Sequence, residues 1–491
     1  MAPEDTSSTV SVRPGLKKVT PYWFPYTTMA KARWYDREIL EVVSTEFRDR
    51  SVEYYRFALD SGVTTINGKV AKPDTVVRNG DRIENIVHRH EPPVTSTPVR
   101  VLYEDLEREF IVIDKPGSIP VHATGRFFYL SLVEILQREF GYKKVYTVNR
   151  LDRLTSGLMV VGLSSQRAHT LSTEFVAGTV RKEYIARCAG EFPAEEVTVE
   201  EPLLTVDRQM GLNIVHPEGK FLLTYPQPAK TIFKRLHYDV NTDTSVLHCR
   251  PLTGRSHQIR VHLQYLGHPI ANDPIYSETK IWGAKLGKGG IDVKPSTERS
   301  APVPPPQFQP LQEPEHVSKP SEPVSTVAST KLLPRETGQD IGMGSPVPLS
   351  AEAVGIITRL RNMKDEDEDW SRWRDVVFKT KSRLHPQGMK VKPLPPQNRR
   401  KRGGPSWVDE NSDKGSPAPS DTGVYTPASD SATPANDGML YCPECYLPLH
   451  PDPKPERLYI FLHALRYTTS LGTFETGMPE WAAEGWEWDR S

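Results

Sequence analysis

The sequence has few cysteines, no excess of either charge and no long apolar run, and each absence excludes a class of protein. Four cysteines in 491 residues cannot form the disulfide framework of a small secreted domain, so we expect a reducing compartment. The 62 basic and 62 acidic residues give a formal net charge of zero, so any affinity for nucleic acid must come from local patches. No apolar run reaches the roughly 18 residues that a membrane-spanning helix needs, so we expect no membrane partner.

The first residues bear on where the protein works. They lack the charged and then apolar layout of a secretory signal, and they include Glu4 and Asp5. Acidic residues at these positions argue against a mitochondrial presequence. Together with the low cysteine content, this predicts a cytoplasmic, possibly nuclear, location.

Proline is abundant, and its distribution predicts which part of the chain is unpacked. With 45 prolines and a hydrophobic share of 37%, much of the chain cannot bury enough apolar surface to offset its conformational entropy. The Pro- and Ser-rich residues 283–438 account for this and are predicted to be a largely disordered insertion. Within it, residues 351–381 have apolar side chains at helical spacing and are predicted to form an amphipathic helix that packs on the preceding domain.

The polar turn Asn149–Gly157 carries a single carboxylate, Asp152, and leads directly into the apolar strand Leu158–Val161. A short turn at a strand end exposes a side chain while a rigid scaffold fixes its position. Small residues after Asp152 would let a substrate approach closely. The turn is therefore a candidate active-site loop, although aspartate, serine and glycine also form ordinary turns in which the aspartate bonds its own backbone.

Two further segments carry candidate functional side chains. Around Thr253-Gly254 a strand pattern changes to a helical one, which places Arg255, His257 and Arg260 at a strand-to-helix junction. An exposed basic helix start is the alternative there. Tyr184 lies on a predicted strand, where a tyrosine can either stack on a base or pack in the core.

The three segments, with the Tyr184 strand lying between the other two in the chain, resemble the RluA-type RNA pseudouridine synthases, which isomerise uridine in RNA. That resemblance implies an α+β fold with a mixed, mainly antiparallel sheet and a reaction without a cofactor. It makes Asp152 the catalytic nucleophile, Tyr184 the ring that stacks on the flipped uracil, and Arg260 the partner of the carboxylate. A carboxylate nucleophile suits this chemistry because a glycosidic bond must be broken and re-formed through carbon. Asn149 stands where the family pattern usually has histidine.

The resemblance also implies the substrate. Arg150, Arg255 and His257 would join Tyr184 and Arg260 in binding it. Residues 87–94 resemble a junction found in the eukaryotic branch that modifies the tRNA anticodon loop, so we expect tRNA as the RNA partner, with uridine 32 as the preferred position. Ribosomal or messenger RNA is an alternative substrate, and an RNA-binding, tRNA-folding chaperone of the same fold is an alternative function. We expect a monomer.

The resemblance and the composition together predict how the chain is divided. We expect an N-terminal arm (1–34), a small RNA-binding-like module (35–92), a catalytic domain (93–282), the insertion (283–438) and a tail that packs on the catalytic domain (439–491). Asn67-Gly68 between β-branched runs predicts a hairpin in the module. In the tail, residues 456–467 are predicted to form an amphipathic helix.

A zinc site is the remaining question that the sequence raises. Cys442 and Cys445 form a Cys-x-x-Cys pair, with His450 and His463 nearby, but the histidine spacing does not fit a standard zinc finger. The run His88–His90 could also bind a metal, yet adjacent residues on a strand point to opposite faces. We therefore predict no metal ligands and leave the two cysteines undecided.

Overall fold

The computed structural model describes residues 10–13, 15–47, 52–207, 211–216, 228–291, 341, 349–367, 442 and 452–488. It divides the chain into two compact units. The first contains residues 1–20, 91–369 and 451–491, and the second contains residues 21–90 and 370–450. No helix among the described residues is both long and apolar enough to cross a membrane.

The described elements are short strands with a smaller number of helices. The strands are β1 Val10–Arg13, β2 Leu16–Val19, β3 Tyr22–Met29, β4 Thr64–Ile66, β5 Lys69–Val70, β6 Arg82–Arg89, β7 Val94–Thr95, β8 Arg100–Asp105, β9 Phe110–Lys115, β10 Tyr146–Thr147, β11 Ser156–Gly162, β12 Arg181–Ala189, β13 Val197–Val199, β14 Leu203–Asp207, β15 Leu212–Val215, β16 Thr231–Asp239, β17 Thr244–Pro251, β18 Leu462–Thr469 and β19 Gly472–Glu475. The α-helices are α1 Ile39–Glu46, α2 Val52–Asp60, α3 Leu132–Arg138, α4 Ser165–Ala177, α5 Gln258–Leu266, α6 Thr279–Trp282 and α7 Ala351–Asp367.

The described part of the second unit consists of a four-stranded sheet, in the order β3-β6-β4-β5, with α1 and α2. The predicted hairpin is confirmed: β4 and β5 pair across Asn67 (φ 54°) and Gly68 (φ 75°), a left-handed pair that suits asparagine and glycine. β3 lies within the predicted N-terminal arm and extends this sheet as an edge strand. An edge position accommodates Pro25, which has no N–H to donate to a second neighbour.

The main sheet of the first unit has the order β13-β16-β17-β12-β18-β11-β9-β8, with β10 on β11 and β19 on β18. β11 and β18 run parallel, and the other described pairings in this sheet are antiparallel. Helices cover it, with α5 packing its apolar side chains among those of β12 and β17. The predicted fold class, α+β with a mixed, mainly antiparallel sheet, is confirmed.

The C-terminal segment corrects the sequence-based expectation. Residues 456–467 are predicted to form an amphipathic helix that packs on the catalytic domain, but the structure has the strand β18 from Leu462, in the middle of the sheet between β11 and β12. Burial on both faces explains the error, because a central strand is apolar on successive residues and shows no period-2 alternation. The side chains from Leu462 to Leu465 are all buried.

A helix from the predicted insertion packs on the same unit. α7 buries Ala353, Ile356, Ile357 and Leu360 in a cluster shared with β14, β15 and α6. Its Arg361 donates to Asp207 Oδ2 at 2.7 Å, and both side chains are buried. Most other residues of 283–438, including the end of the predicted helix 351–381, lie outside the described residues.

A buried ion pair ties the C-terminal segment to the sheet. Arg187 on β12 is fully buried and donates to Asp239 Oδ2 (2.6 Å), to the carbonyl oxygen of Trp481 (2.7 Å) and to that of Ala483 (3.0 Å). Removing one member of a buried pair leaves the other charge uncompensated and costs about 3–5 kcal/mol. We expect Asp239→Asn to lower the free energy of unfolding by that amount, measured by urea denaturation.

The control for this prediction is Glu195→Gln, which neutralises an exposed carboxylate and should change stability by less than about 0.5 kcal/mol. Acid supplies a second check. Burial acts to raise the pKa of Asp239. The hydrogen bonds from the Gly485 N–H and from Arg187 lower that pKa by more, so the net shift is downward. Because the pKa of Asp239 is lower in the folded than in the unfolded chain, where it is about 3.9, the ionised carboxylate stabilises the fold above about pH 3.9. The difference in free energy of unfolding between wild type and Asp239→Asn should therefore shrink as the pH falls below that value. An equal difference at all pH values would contradict this assignment.

Candidate active site

A buried lysine fixes the turn that carries Asp152. Lys115, at the end of β9, donates from Nζ to the carbonyl oxygens of Pro116 (2.9 Å), Ile119 (3.0 Å) and Arg153 (3.3 Å). Burial lowers the pKa of Lys115 to about 7, although the nearby Asp152 carboxylate acts to raise it. Three carbonyl acceptors match the three N–H donors of an ammonium group, so these hydrogen bonds favour the protonated lysine while burial favours the neutral one.

A glycine lets the C-terminal strand approach the turn. Gly157 opens β11 with φ 111°, a conformation that side-chain-bearing residues rarely adopt. A Cβ at this position would come within 2.5 Å of the Ala464 backbone nitrogen on β18. Close pairing of β11 with β18, immediately after the turn, therefore requires glycine here. The Ser156 hydroxyl adds a hydrogen bond to His463 Nδ1 at 2.9 Å.

A glutamine organises the start of α5. The Gln258 side-chain oxygen accepts from the Thr253 hydroxyl (2.7 Å) and from the Arg255 backbone N–H (3.0 Å). Its nitrogen donates to the Lys230 carbonyl (3.0 Å) and to Thr231 Oγ1 (2.9 Å). These four bonds close the loop between β17 and α5, and they set the orientation of the first helical turn.

Arg260, on that first turn, bridges two carboxylates. It donates from Nη1 to Asp152 Oδ2 at 3.1 Å, although the two residues lie 108 positions apart in the chain. Its Nε and Nη2 donate to Asp273 Oδ2 (2.6 Å) and Oδ1 (2.9 Å), a bidentate pair that fixes the plane of the guanidinium. Asp273 therefore aims Arg260 at Asp152.

The site keeps Asp152 ionised and reachable. Burial raises the pKa of Asp152, but His257, Arg260 and Arg150 act against it, and the net shift is downward. Burial lowers the pKa of His257, whose Nε2 lies 3.7 Å from Asp152 Oδ2, although the Asp152 carboxylate acts to raise it. Burial also acts to lower the pKa of Arg260, but Asp273 and Asp152 raise it, so Arg260 keeps its positive charge beside Asp152. The Asp152 side chain keeps 24% of its surface exposed, which leaves room for a reacting group.

Two tyrosines from neighbouring strands lie at the same end of the sheet. The Tyr184 hydroxyl on β12 contacts the Tyr467 hydroxyl on β18 at 2.7 Å, and Asn149 Nδ2 donates to the Tyr467 hydroxyl at 3.4 Å. Burial raises the pKa of Tyr184 to about 12, and the nearby Asp152 charge adds to that shift. Tyr184 is therefore a neutral phenol at neutral pH, suited to ring contacts and hydrogen bonds and not to accepting a proton as a phenolate base.

The remaining predicted site residues occupy different places. Arg150 is exposed on the same turn as Asp152. His257 caps α5 in a left-handed conformation, φ 57°, and its Nδ1 contacts the Tyr276 hydroxyl at 2.9 Å. Arg255 directs its Nε to the Pro228 carbonyl at 3.1 Å.

Sequence reasoning missed Asp273 and Tyr467, both of which contact predicted site residues. The signal for Asp273 is a lone carboxylate in the apolar stretch that follows α5. The signal for Tyr467 is the apolar run that precedes it, which is typical of a central strand.

These side chains form the candidate active site. An α+β domain with a mainly antiparallel sheet holds the partly exposed Asp152 carboxylate beside the buried Arg260 and the neutral Tyr184, and a carboxylate is one of the side chains that can act as a nucleophile.

The family follows from comparison with known proteins. Residues 109–265 match the family described as RNA pseudouridylate synthase. A Saccharomyces cerevisiae protein named "tRNA pseudouridine(32) synthase, mitochondrial" is 50% identical over 275 residues, which are 56% of this chain and 58% of that protein. Human "Pseudouridylate synthase RPUSD2" is 36% identical over 480 residues, 97% of this chain and 75% of that protein. Yeast "tRNA pseudouridine(31) synthase" is 33% identical over 298 residues, 53% of this chain and 72% of that protein. The chain belongs to the RluA-type RNA pseudouridine synthases, a family of isomerases.

The predicted cytoplasmic, possibly nuclear, location is overturned by the same comparisons. The yeast relative at 50% identity is named as mitochondrial. Two carboxylates, Glu4 and Asp5, were the reason for setting a mitochondrial location aside. Such local charge is a weak guide, because it reports on two side chains and not on the whole segment that a targeting receptor reads.

Proposed function

We propose that this protein converts a uridine of tRNA, at position 32 of the anticodon loop, to pseudouridine, with Asp152 as the nucleophile and without a cofactor. The observation that carries the proposal is the guanidinium of Arg260, which contacts Asp152 at 3.1 Å and is fixed from behind by Asp273. A carboxylate that is ionised, aimed and partly exposed can attack an electrophilic carbon of the substrate.

The residues of the site have distinct parts in this reaction. In the overall isomerisation the bond from N1 to C1′ of the uridine breaks, a bond from C5 to C1′ forms, and the hydrogen of C5 is replaced while N1 gains one. Asp152 supplies the electron pair that allows the first bond to break. Arg260 is a positioning residue, because it is only 3% exposed and its guanidinium already donates to both Asp152 and Asp273.

The uridine must leave the stack of bases before Asp152 can reach it. The ring of Tyr184 then compensates for the lost stacking energy. An aromatic face recovers about 1–3 kcal/mol for each stacked base. Tyr184 is half-buried, and its hydroxyl is held by Tyr467, so its ring is presented in one orientation. Arg150 is exposed on the turn that carries Asp152, and we assign it a contact with the RNA backbone, since arginine is a common phosphate ligand.

The names of the relatives support tRNA as the substrate and the anticodon loop as the region. One yeast relative is named for position 32 and another for position 31, and the former shares the higher identity with this chain. Position 32 is therefore the site that we propose.

The test uses unmodified tRNA transcripts and the full chain. We expect pseudouridine at position 32 after incubation with wild-type protein, detected by chemical labelling and reverse transcription, together with loss of the C5 hydrogen of that uridine. A transcript with cytidine at position 32 is the matched control and should stay unmodified.

Each other outcome has a defined meaning. Pseudouridine at position 31 alone would contradict the proposed position while supporting the reaction. Modification of ribosomal or messenger RNA, and not of tRNA, would contradict the substrate. Tight tRNA binding with no modification of any of these RNAs would support a tRNA-folding chaperone of the same fold.

A further inference from the structure

Three potential metal ligands lie together in the unit of residues 21–90 and 370–450, and the proposed reaction uses none of them. His88 Nδ1 lies 3.1 Å from His90 Nε2, and Cys442 Sγ lies 3.7 Å from His88 Nδ1. One ligand atom from each of the three side chains lies within 4.8 Å of the others. His88 and Cys442 are buried, and His90 is half-buried.

The strand geometry explains why both histidines reach the same point. His88 lies on β6, whose last residue is Arg89, and residues two apart in an extended chain share a face. Arg89 points to the other face, where its guanidinium lies 4.3 Å from the ring centroid of Phe24. The opposite-face argument therefore applies to Arg89 and does not separate His88 from His90.

Two of the three separations between ligand atoms match those of a tetrahedral zinc site. Zinc binds histidine nitrogen at about 2.0–2.1 Å and cysteine sulfur at about 2.3 Å, so tetrahedral angles place two nitrogens about 3.3 Å apart and a nitrogen and a sulfur about 3.6 Å apart. The separations of 3.1 Å and 3.7 Å agree with these values to within a few tenths of an ångström. The third pair, Cys442 and His90, lies within 4.8 Å, so binding a zinc ion would draw these two side chains together by up to about 1.2 Å.

We propose that His88, His90 and Cys442 bind one zinc ion. Imidazole and thiolate ligands favour zinc over magnesium or calcium, which prefer oxygen. Cys442 is also the first thiol of the Cys-x-x-Cys pair with Cys445, a spacing typical of zinc ligands. Cys445 lies outside the described residues, so its contribution is a matter for the experiment.

The proposed site has a structural role. His88 and Cys442 are 354 residues apart in the chain, and the metal would fasten the segment around Cys442, which follows the long insertion, to β6. Metal–ligand bonds of this kind contribute to folding once the ligands are deprotonated. The ring of Trp23, 4.6 Å from that of His88, covers one side of the ligand and limits access by water.

The first measurement is the metal content of the full-length protein, purified without an immobilised-metal column or chelator. We expect about one zinc per chain by mass spectrometry. X-ray absorption at the zinc edge should show nitrogen at about 2.0–2.1 Å and sulfur at about 2.3 Å. One sulfur corresponds to Cys442 alone, and two correspond to Cys442 with Cys445.

Variants connect the metal to these side chains. Cys442→Ser and His90→Gln should each weaken zinc binding at least about 10-fold in competition with a chelator, because each removes one ligand. Cys442→His keeps a ligand and should retain zinc with a smaller sulfur contribution. The matched control is His169→Gln, an exposed histidine on α4, which should leave the zinc content unchanged.

Two results would overturn the proposal. The first is folded wild-type protein, verified by circular dichroism, that holds less than about 0.1 zinc per chain and takes up none on titration. The second is an unchanged sulfur signal at the zinc edge in Cys442→Ser. Neither depends on catalysis, so the zinc proposal can fail while the proposed reaction stands.

Discussion

Asp152→Asn is expected to abolish pseudouridine formation, with kcat/KM lower by at least about 10⁴-fold, because an amide oxygen is a far weaker nucleophile than a carboxylate. The substitution preserves the shape of the side chain and can still accept a hydrogen bond from Arg260. Binding of tRNA should be unchanged or slightly tighter, since one negative charge near the phosphates is removed. Single-turnover kinetics and a binding assay on the same preparation measure both quantities.

The matched control for Asp152→Asn is again Glu195→Gln, which removes an exposed carboxylate from the same domain and should leave kcat/KM unchanged. A more informative comparison is Asp273→Asn. That change should weaken the two hydrogen bonds that orient Arg260. It should reduce kcat more than it raises KM for tRNA, because Asp273 acts through Arg260 and not on the substrate. If Asp152→Asn kept more than about 1% of the activity, the nucleophile assignment would be wrong.

The segments that carry the candidate site residues could be predicted because each of them is recognisable from one short stretch of sequence. The turn before β11, the junction before α5 and the strand with Tyr184 each combine a breaker, a periodic pattern and a polar side chain. Some of their hydrogen bonds are local as well, such as those that Gln258 accepts from Thr253 and Arg255. Patterns of this kind place a side chain on an element, but they do not state which elements meet.

The parts that sequence reasoning missed depend on distant segments meeting. Tyr467 contacts Tyr184 across 283 residues, and Cys442 contacts His88 across 354. No periodicity within either segment specifies its partner, because pairing is decided by the packing of the whole sheet. The segment around β18 was misassigned for the same reason: in isolation its apolar run fits a buried helix or a central strand equally well.

The C-terminal strand is also where the largest effect on folding is expected. A chain truncated after Ile460 loses β18, and with it the backbone partner of both β11 and β12. The buried side chains of Phe461, Leu462, Leu465 and Tyr467 are lost too. Burying side chains of this size contributes about 1.5–3 kcal/mol each, so their loss removes about 6–12 kcal/mol. A typical domain has a free energy of unfolding of only about 5–15 kcal/mol.

We therefore expect the truncated chain to be insoluble, or soluble without a cooperative unfolding transition, when wild type and variant are compared by expression and differential scanning calorimetry. Truncation after Trp488 is the matched control, because it removes only residues 489–491 and keeps β18, β19 and every described contact of the C-terminal segment. Co-expression of residues 452–491 as a separate chain should restore soluble protein, since β18 is held by pairing and burial as well as by its covalent connection. A truncated chain that folds cooperatively and keeps its activity would show that the sheet closes without β18, and it would remove Tyr467 from the site.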